Sequence, residues 1–274
     1  MGVDKLLKDY AAGVRDFRGI DLSHADLHEQ VLSHADFRRA NLVGANLEGT
    51  VLFRANLREA KFQHANLSSA DCRRANLIGA NLKNAKLVGC LLDEAGMRSV
   101  DLSHANLQRA HLSDVNLSEA IVDHADLTEA ILQDANLTRS KFMESTFTSA
   151  NMERAVLTNA ILGGAVLEHA NLTDAILHGA SFEEANLSYA ILNRVKATGV
   201  NFMNAGLREA ELRNASLMWT SFRGANLEKA NLYRSKLHWT NFGEADLTEA
   251  VLMSAELDDA NFYNASMKGA LMPQ

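Results

Sequence analysis

Histidine is the residue type in this chain whose spacing comes nearest to metal-binding chemistry. The sequence contains ten histidines, and His24, His64, His104 and His124 all fall in one 20-residue register. If a 20-residue repeat stacks these positions, the rings of His104 and His124 would lie about 5 Å apart and could share a metal ion. No column of carboxylates or thiols completes such a site, so we predict solvent-exposed side chains, no metal and no cofactor.

The cysteines and the remaining polar residues give no sign of catalysis. Cys72 and Cys90 both fall at positions where the sequence otherwise has leucine or alanine, which predicts buried, inert thiols. The chain has no glycine-rich phosphate loop, no Ser-His-Asp order and no CxxC motif. We therefore predict that the protein is not an enzyme.

An internal repeat of five residues determines the predicted architecture. From Phe17 to Met272 every fifth residue is apolar, and the residue two places earlier is usually alanine, as in ANLVGANLEG at 40–49. A period of five fits neither a helix nor a continuous strand. Ala-x-Leu can instead form one short wall with both ends inward, while the next two residues form a corner.

Two recurring markers set the number of walls in a coil. The hexapeptides LMWTSF at 217–222 and LHWTNF at 237–242 contain both tryptophans, and their starting positions differ by four pentapeptides. Phenylalanine recurs at the same interval, at positions 182, 202, 222, 242 and 262. Four pentapeptides therefore make one coil, and the repeat region predicts about 13 coils at the roughly 4.8 Å spacing of hydrogen-bonded strands.

The same interval predicts a partner-binding surface around the tryptophans. Trp219 would stack on Trp239 at an outward corner, and exposed Trp, Tyr and Arg dominate binding hot spots. The alternative, that stacked indoles and lysine stems only shield a wall, stays open. The predicted surface comprises Trp219, Trp239, Met218 and His238 at this corner, Lys196 and Lys236 on the wall before it, and Arg194, Arg213, Arg234 and Tyr233 at the preceding corner.

These repeats resemble the pentapeptide-repeat family, whose pattern A-[DN]-L-x-x occurs as ADLHE at 25–29, ANLRE at 55–59, ANLIG at 75–79 and ADLTE at 125–129. The resemblance implies an all-β fold, a right-handed quadrilateral parallel β-helix of the solenoid type. The N-terminal VDKLLKDYAAGVRDF also resembles the leader of cyanobacterial members. Its apolar stripe and Gly13 predict a short α-helix that caps the first coil. We assign residues 1–13 to this capping helix and residues 14–274 to a single pentapeptide-repeat β-helix.

Composition is that of a globular protein without a strongly basic surface. Hydrophobic residues make up 47% of the 274 residues, which is enough for a core, although only 6% are aromatic. The formal net charge of −7 is mildly acidic and gives no argument for binding to nucleic acid or to anionic membranes. The N-terminus lacks the features of a signal peptide, and no apolar run approaches the roughly 18 residues of a membrane span. We expect a soluble, cytoplasmic protein.

The resemblance leaves two function classes open. One is a non-enzymatic interaction scaffold or regulator that docks a protein partner on a rigid face, as implied by a cyanobacterial member that regulates heterocyst differentiation by binding a transcription regulator. The alternative is a DNA mimic that binds type II topoisomerase, as quinolone-resistance members do. That mechanism relies on an acidic surface, whereas residues 181–274 carry 11 acidic and 9 basic side chains. We therefore favour the scaffold.

Two further kinds of partner have weaker support from the sequence. Single-stranded nucleic acid could stack on the aromatic and basic residues, but the net negative charge opposes it. A weak homodimer through the C-terminal end is a second hypothesis. It rests on Met267 and Met272, for which no covering helix is predicted, so that strand edges would be open to pairing.

Overall fold

In a pentapeptide that begins with Asn or Asp the side chain completes the backbone hydrogen bonding, and this explains the sequence pattern. In the computed structural model, which describes residues 2–274, the pentapeptide Asp101–Ala105 is representative. Asp101 donates its N–H to the preceding coil, Leu102 and His104 donate to the following coil, and Ala105 donates back to Leu102 across a turn. The remaining N–H, of Ser103, donates to Oδ1 of Asp101 at 2.9 Å. Asn or Asp therefore recurs because its side-chain oxygen accepts the one N–H that the ladder leaves free.

Neighbouring coils pair in parallel in the 20-residue register that the markers predicted. The chain contains two compact units, Met1–Asn136 and Leu137–Gln274. Pairs such as Asp21 with Asn41 in the first unit and Lys196 with Ser216 in the second have the same register. Over residues 2–274 the pairing consists of isolated bridges rather than extended strands, because a corner follows every three-residue wall. The number of coils and the assignment of 14–274 to one domain stay predictions.

The interior of each unit consists of the central apolar residue of each pentapeptide and the small residue two places earlier. Leu107 and Phe222 are fully buried, as are most residues at these two positions. The free thiols of Cys72 and Cys90 are buried as well, which confirms their predicted inward placement. In the second unit the phenylalanines from Phe182 to Phe262 form a continuous ladder with ring centroids 5.0–5.2 Å apart. The inward assignment is therefore confirmed.

Each corner is a turn whose second residue has a left-handed backbone. Its φ lies between +54° and +61° in the non-glycine residues, including His104 at +59°. A positive φ at this position is typical of a type II turn, which favours glycine or asparagine. An ordinary L-residue there costs roughly 1–2 kcal/mol. The corners thus carry small, regular backbone strain.

One helix precedes the coils. Helix α1 spans Val3–Ala11, two residues shorter at each end than the predicted segment 1–13, of which Met1 lies outside the described residues. Leu6 is fully buried, and the hydroxyl of Tyr10 donates to the backbone oxygen of Ser33 at 3.0 Å. The helix ends before Gly13, which has a φ of +92°. Between residues 2 and 274, no helix has the length and apolar content needed to cross a membrane.

Candidate partner-binding surface

The two tryptophans stack face to face on the outside of the second unit. Their ring centroids are 4.6 Å apart and their planes differ by 10°. Trp219 is 60% exposed and Trp239 is 46% exposed, although both are large apolar side chains. The predicted stacking and outward orientation are therefore present. We call residues 218–219 and 238–239 the tryptophan corner.

Backbone and threonine hydrogen bonds hold this corner in place. The N–H of Trp219 donates to the oxygen of His238 at 3.1 Å, and that of Trp239 donates to the oxygen of Asp258 at 3.0 Å. The threonine after each tryptophan is buried in the alanine position. Thr220 Oγ1 donates to the Ala197 oxygen at 2.7 Å, and Thr240 Oγ1 donates to the Leu217 oxygen at 2.9 Å. These buried hydroxyls tie each tryptophan to the preceding coil and account for the recurring Trp-Thr pair.

The histidine of the corner is surrounded by acidic groups that the sequence reasoning did not identify. Nε2 of His238 lies 2.8 Å from a carboxylate oxygen of Glu256, and Nδ1 lies 3.1 Å from one of Asp258. The ring of His238 is also tilted against Trp239, with centroids 5.8 Å apart. His238 therefore braces Trp239 on the side of the corner nearer the C-terminus. It is less accessible than the sequence suggested, because its side chain is only 19% exposed.

Two of the three predicted arginines are paired with carboxylates. Arg194 forms two hydrogen bonds to Asp174, at 2.8 and 2.6 Å. These bonds, together with the Coulombic attraction, lower the pKa of Asp174 and raise that of Arg194. Nε of Arg213 lies 2.7 Å from a carboxylate oxygen of Glu211, in an ion pair. Their charges are therefore compensated within the molecule.

The other predicted cations form no ion pair among the described residues. The guanidinium of Arg234 lies over the ring of Tyr233, 5.1 Å from its centroid. Lys196 and Lys236 are exposed on the wall before the tryptophan corner, in the parallel pairing register predicted for them. In the described part of the chain no carboxylate lies within ion-pair distance of either lysine. The surface thus combines an aromatic corner with a few free positive charges.

The histidines and cysteines were the other candidates for chemistry in the sequence. His104 and His124 stack with centroids 4.9 Å apart and planes 4° apart, as their spacing predicted. Residues 2–274 contain no group of three or more His, Cys, Asp or Glu arranged to hold a metal ion. A hydrogen bond with Cys72, together with burial, raises the pKa of the Cys90 thiol well above its usual value. A thiol of raised pKa is a poor nucleophile at neutral pH.

Comparison with solved structures finds several proteins of the same repeat type. HetL from the cyanobacterium Nostoc sp. strain PCC 7120, described as involved in heterocyst differentiation regulation, is 28% identical over 99% of this chain and 97% of its own, with a TM-score of 0.35. The plasmid-mediated fluoroquinolone resistance protein QnrB1 is 18% identical over 85% of this chain and 90% of its own, with a TM-score of 0.26. Alr5209, also from Nostoc PCC 7120, is 38% identical over 36% of this chain and 80% of its own, with a TM-score of 0.20. These TM-scores are too low to support an argument about function.

The family assignment rests on the repeats themselves. No curated protein sequence is similar enough to count as a match. The family profile described as Pentapeptide repeats matches residues 16–52, 55–93, 95–134, 110–148, 123–159, 150–188, 165–202, 180–217, 201–238 and 230–269. The matches cover most of the chain and agree with the four-sided coils, the inward Leu and Ala and the 20-residue register. The chain therefore belongs to the pentapeptide-repeat family, whose fold is the quadrilateral β-helix.

Proposed function

We propose that this protein is a non-enzymatic scaffold that docks a protein partner on the tryptophan corner. The observation that carries the proposal is the stacked, exposed pair of Trp219 and Trp239 on a corner fixed by backbone and threonine hydrogen bonds. Inward packing does not require either indole. Tryptophan is among the residues most enriched in hot spots, where truncation costs about 2 kcal/mol or more.

Rigidity makes such a corner suitable for binding. Association costs about 0.5–1.5 kcal/mol for each flexible side chain that must be immobilised. Trp219 and Trp239 already hold each other in place through their stacked faces, and His238 supports the second ring. A partner would therefore cover a large apolar area at little further cost in side-chain entropy.

A comparison of two double variants in a native lysate tests the proposal. We expect the wild type to capture a protein that Trp219→Ala with Trp239→Ala no longer captures. The matched control is His169→Ala with Tyr189→Ala, which removes another stacked aromatic pair at exposed corners of the second unit, with centroids 5.0 Å apart. The control should keep the partner. If both double variants capture the same protein as the wild type, the tryptophan corner is not the docking site.

The topoisomerase alternative receives a separate assay. Arg194 and Arg213 are interleaved with acidic residues, so the surface alternates in charge rather than being uniformly acidic. We therefore expect the protein to leave DNA supercoiling by gyrase unchanged. Inhibition of supercoiling by the wild type would favour the DNA-mimic mechanism over the scaffold.

A further inference from the structure

One face of the tryptophan stack is open. Trp219 is covered on one side by Trp239, and the corresponding corner residue on its other side, one coil earlier, is Gly199. The N–H of Gly199 donates to the oxygen of Met218 at 2.9 Å, so the two corners are directly paired. No heavy atom lies within 4 Å of the point where a Cβ of Gly199 would be. We call the space between Gly199 and the open face of Trp219 the Trp219 slot.

Two consecutive glycines in this column of corners account for the slot. At other corners the side chain leans toward the following coil. Asn204 reaches within 2.5 Å of the Cβ point of Gly224, and Asn159 covers that of Gly179 in the same way. The residue that would lean over Trp219 is Gly199, which has no side chain, and Gly179 likewise leaves the Cβ point of Gly199 uncovered. The slot is therefore empty by sequence, and the greater exposure of Trp219 than of Trp239 agrees with this.

The spacing of the coils makes the slot the right depth for an aromatic ring. Corner residues one coil apart stack whenever both carry rings, at 4.6 Å for the tryptophans and 5.0 Å for His169 with Tyr189. These distances match the spacing of about 4.8 Å between paired strands. An indole face attracts aromatic rings and cations. Position 199 would carry the next ring of the Trp219–Trp239 stack, and glycine leaves that place without a ring.

The lysine charges near the slot determine which residues are favoured on either side of the bound ring. Lys196 lies on the wall leading to Gly199 in the same coil and is exposed, and among the described residues it forms no ion pair, although its charge helps to lower the pKa of Asp174. The other cation of that coil, Arg194, is compensated by Asp174. A second free lysine, Lys236, lies two coils further along the same wall. Positive charges here disfavour a cationic side chain on Trp219 and favour acidic neighbours.

We propose that the Trp219 slot binds a phenylalanine or tyrosine ring from an acidic peptide segment of the partner. This inference rests on the proposed function, since it names the chemistry that the tryptophan corner recognises. The ring stacks on the open face of Trp219 above Gly199. Acidic residues on either side of that ring lie toward Lys196 and Lys236.

Intrinsic fluorescence reports directly on this site because the chain has only two tryptophans, both at the corner. The probes are the peptides acetyl-EEFEE-amide, acetyl-EEAEE-amide and acetyl-KKFKK-amide and a single-stranded oligothymidylate, each titrated into the full chain. Phenylalanine does not absorb where tryptophan is excited. We expect saturable quenching or a spectral shift with EEFEE, and binding at least about tenfold weaker for the other three, which corresponds to about 1.4 kcal/mol.

A blocked variant with a matched control isolates the slot. Gly199→His places an imidazole against Trp219, and histidine is accommodated at this turn position elsewhere, as at His104 with a φ of +59°. Gly89→His is the control, because Gly89 has a similar φ of +62° and an equally open Cβ point. We expect Gly199→His to weaken EEFEE binding about tenfold or more and Gly89→His to leave it unchanged. Melting temperatures of both variants check that the fold is intact.

Several results would overturn the inference. Unchanged EEFEE binding by Gly199→His, absence of any saturable response, or equal binding of KKFKK, EEAEE or the oligonucleotide would each refute the slot or its ligand. The proposed function fails differently. A partner captured by Gly199→His but lost from the double tryptophan variant would keep the docking corner and reject only the slot. A partner kept by all variants would reject the corner.

Discussion

Replacing Phe222 by alanine should destabilise the second unit far more than replacing the larger Trp219, three residues earlier. Phe222 is fully buried, and its ring stacks on those of Phe202 and Phe242 at 5.0 and 5.2 Å. Truncation of a buried phenylalanine costs about 3–5 kcal/mol, part of which is the loss of two aromatic contacts. Trp219 is mostly exposed and makes one such contact, which is worth about 0.5–1.5 kcal/mol.

The assay is chemical unfolding of both single variants, followed by circular dichroism, with amide hydrogen exchange of the residues around Phe222. Exchange is needed because repeat proteins lose stability locally, coil by coil, rather than in one transition. We expect a clearly lower denaturant midpoint and faster exchange for Phe222→Ala and a small change for Trp219→Ala. An equal or reversed order would refute the assignment of inward and outward positions within the pentapeptide.

Three further predictions follow from individual positions. Leu107→Asp should lower the melting temperature severely, because it buries an unpaired carboxylate at a fully buried position; a wild-type melting curve would contradict this. Trp219→Gly should have a free energy of unfolding about 1 kcal/mol higher than Trp219→Ala, and therefore a higher denaturant midpoint. Both variants lose the stack, but only glycine is unstrained at a φ of +59°. The hydroxyl and N–H of Thr248 lower the pKa of Asp246, so its contribution is present above the unfolded value of about 3.9 and is lost as pH falls through the lower folded pKa. Asp246→Asn should therefore be less stable than the wild type at neutral pH, and the two melting temperatures should converge as pH falls below about 4. A parallel acid profile would refute the role of Asp246.

The register and the interior could be predicted because they depend on position alone. A ring that recurs at Phe202, Phe222 and Phe242 has to lie on one wall if four pentapeptides close a coil, and the structure places the three rings in one stack. The same argument placed Trp219 over Trp239. Periodicity fixes which backbone positions are neighbours, and small or rigid side chains then have little freedom.

The ion pairs could not be predicted in the same way. Arg194 could have faced solvent or a neighbour, and its pairing with Asp174 depends on the rotamers of two long or mobile side chains. The same holds for Arg213 with Glu211. Such choices are decided by small differences in solvation and Coulombic energy that spacing does not encode. The predicted positive surface is therefore smaller than the sequence indicated.

The slot beside Trp219 was visible in the sequence but needs the geometry of the corners to be recognised. Gly179 and Gly199 stand in the same 20-residue column as the tryptophans. Their meaning depends on the lean of each corner side chain toward the following coil, as Asn204 leans over Gly224. The left-handed backbone of these corners is a second feature that the period of five does not reveal.

The affinity of the purified partner for the double tryptophan variant tests the central claim most directly. Titration calorimetry of the wild type, of Trp219→Ala with Trp239→Ala, and of His169→Ala with Tyr189→Ala should be accompanied by melting curves. If the tryptophan corner is the docking site, only the tryptophan variant should lose binding free energy, by about 2 kcal/mol or more, which is a roughly 30-fold higher Kd. Its melting temperature should change little. An unchanged Kd together with a clearly lower melting temperature would show that the indoles only shield the wall and that the partner binds elsewhere.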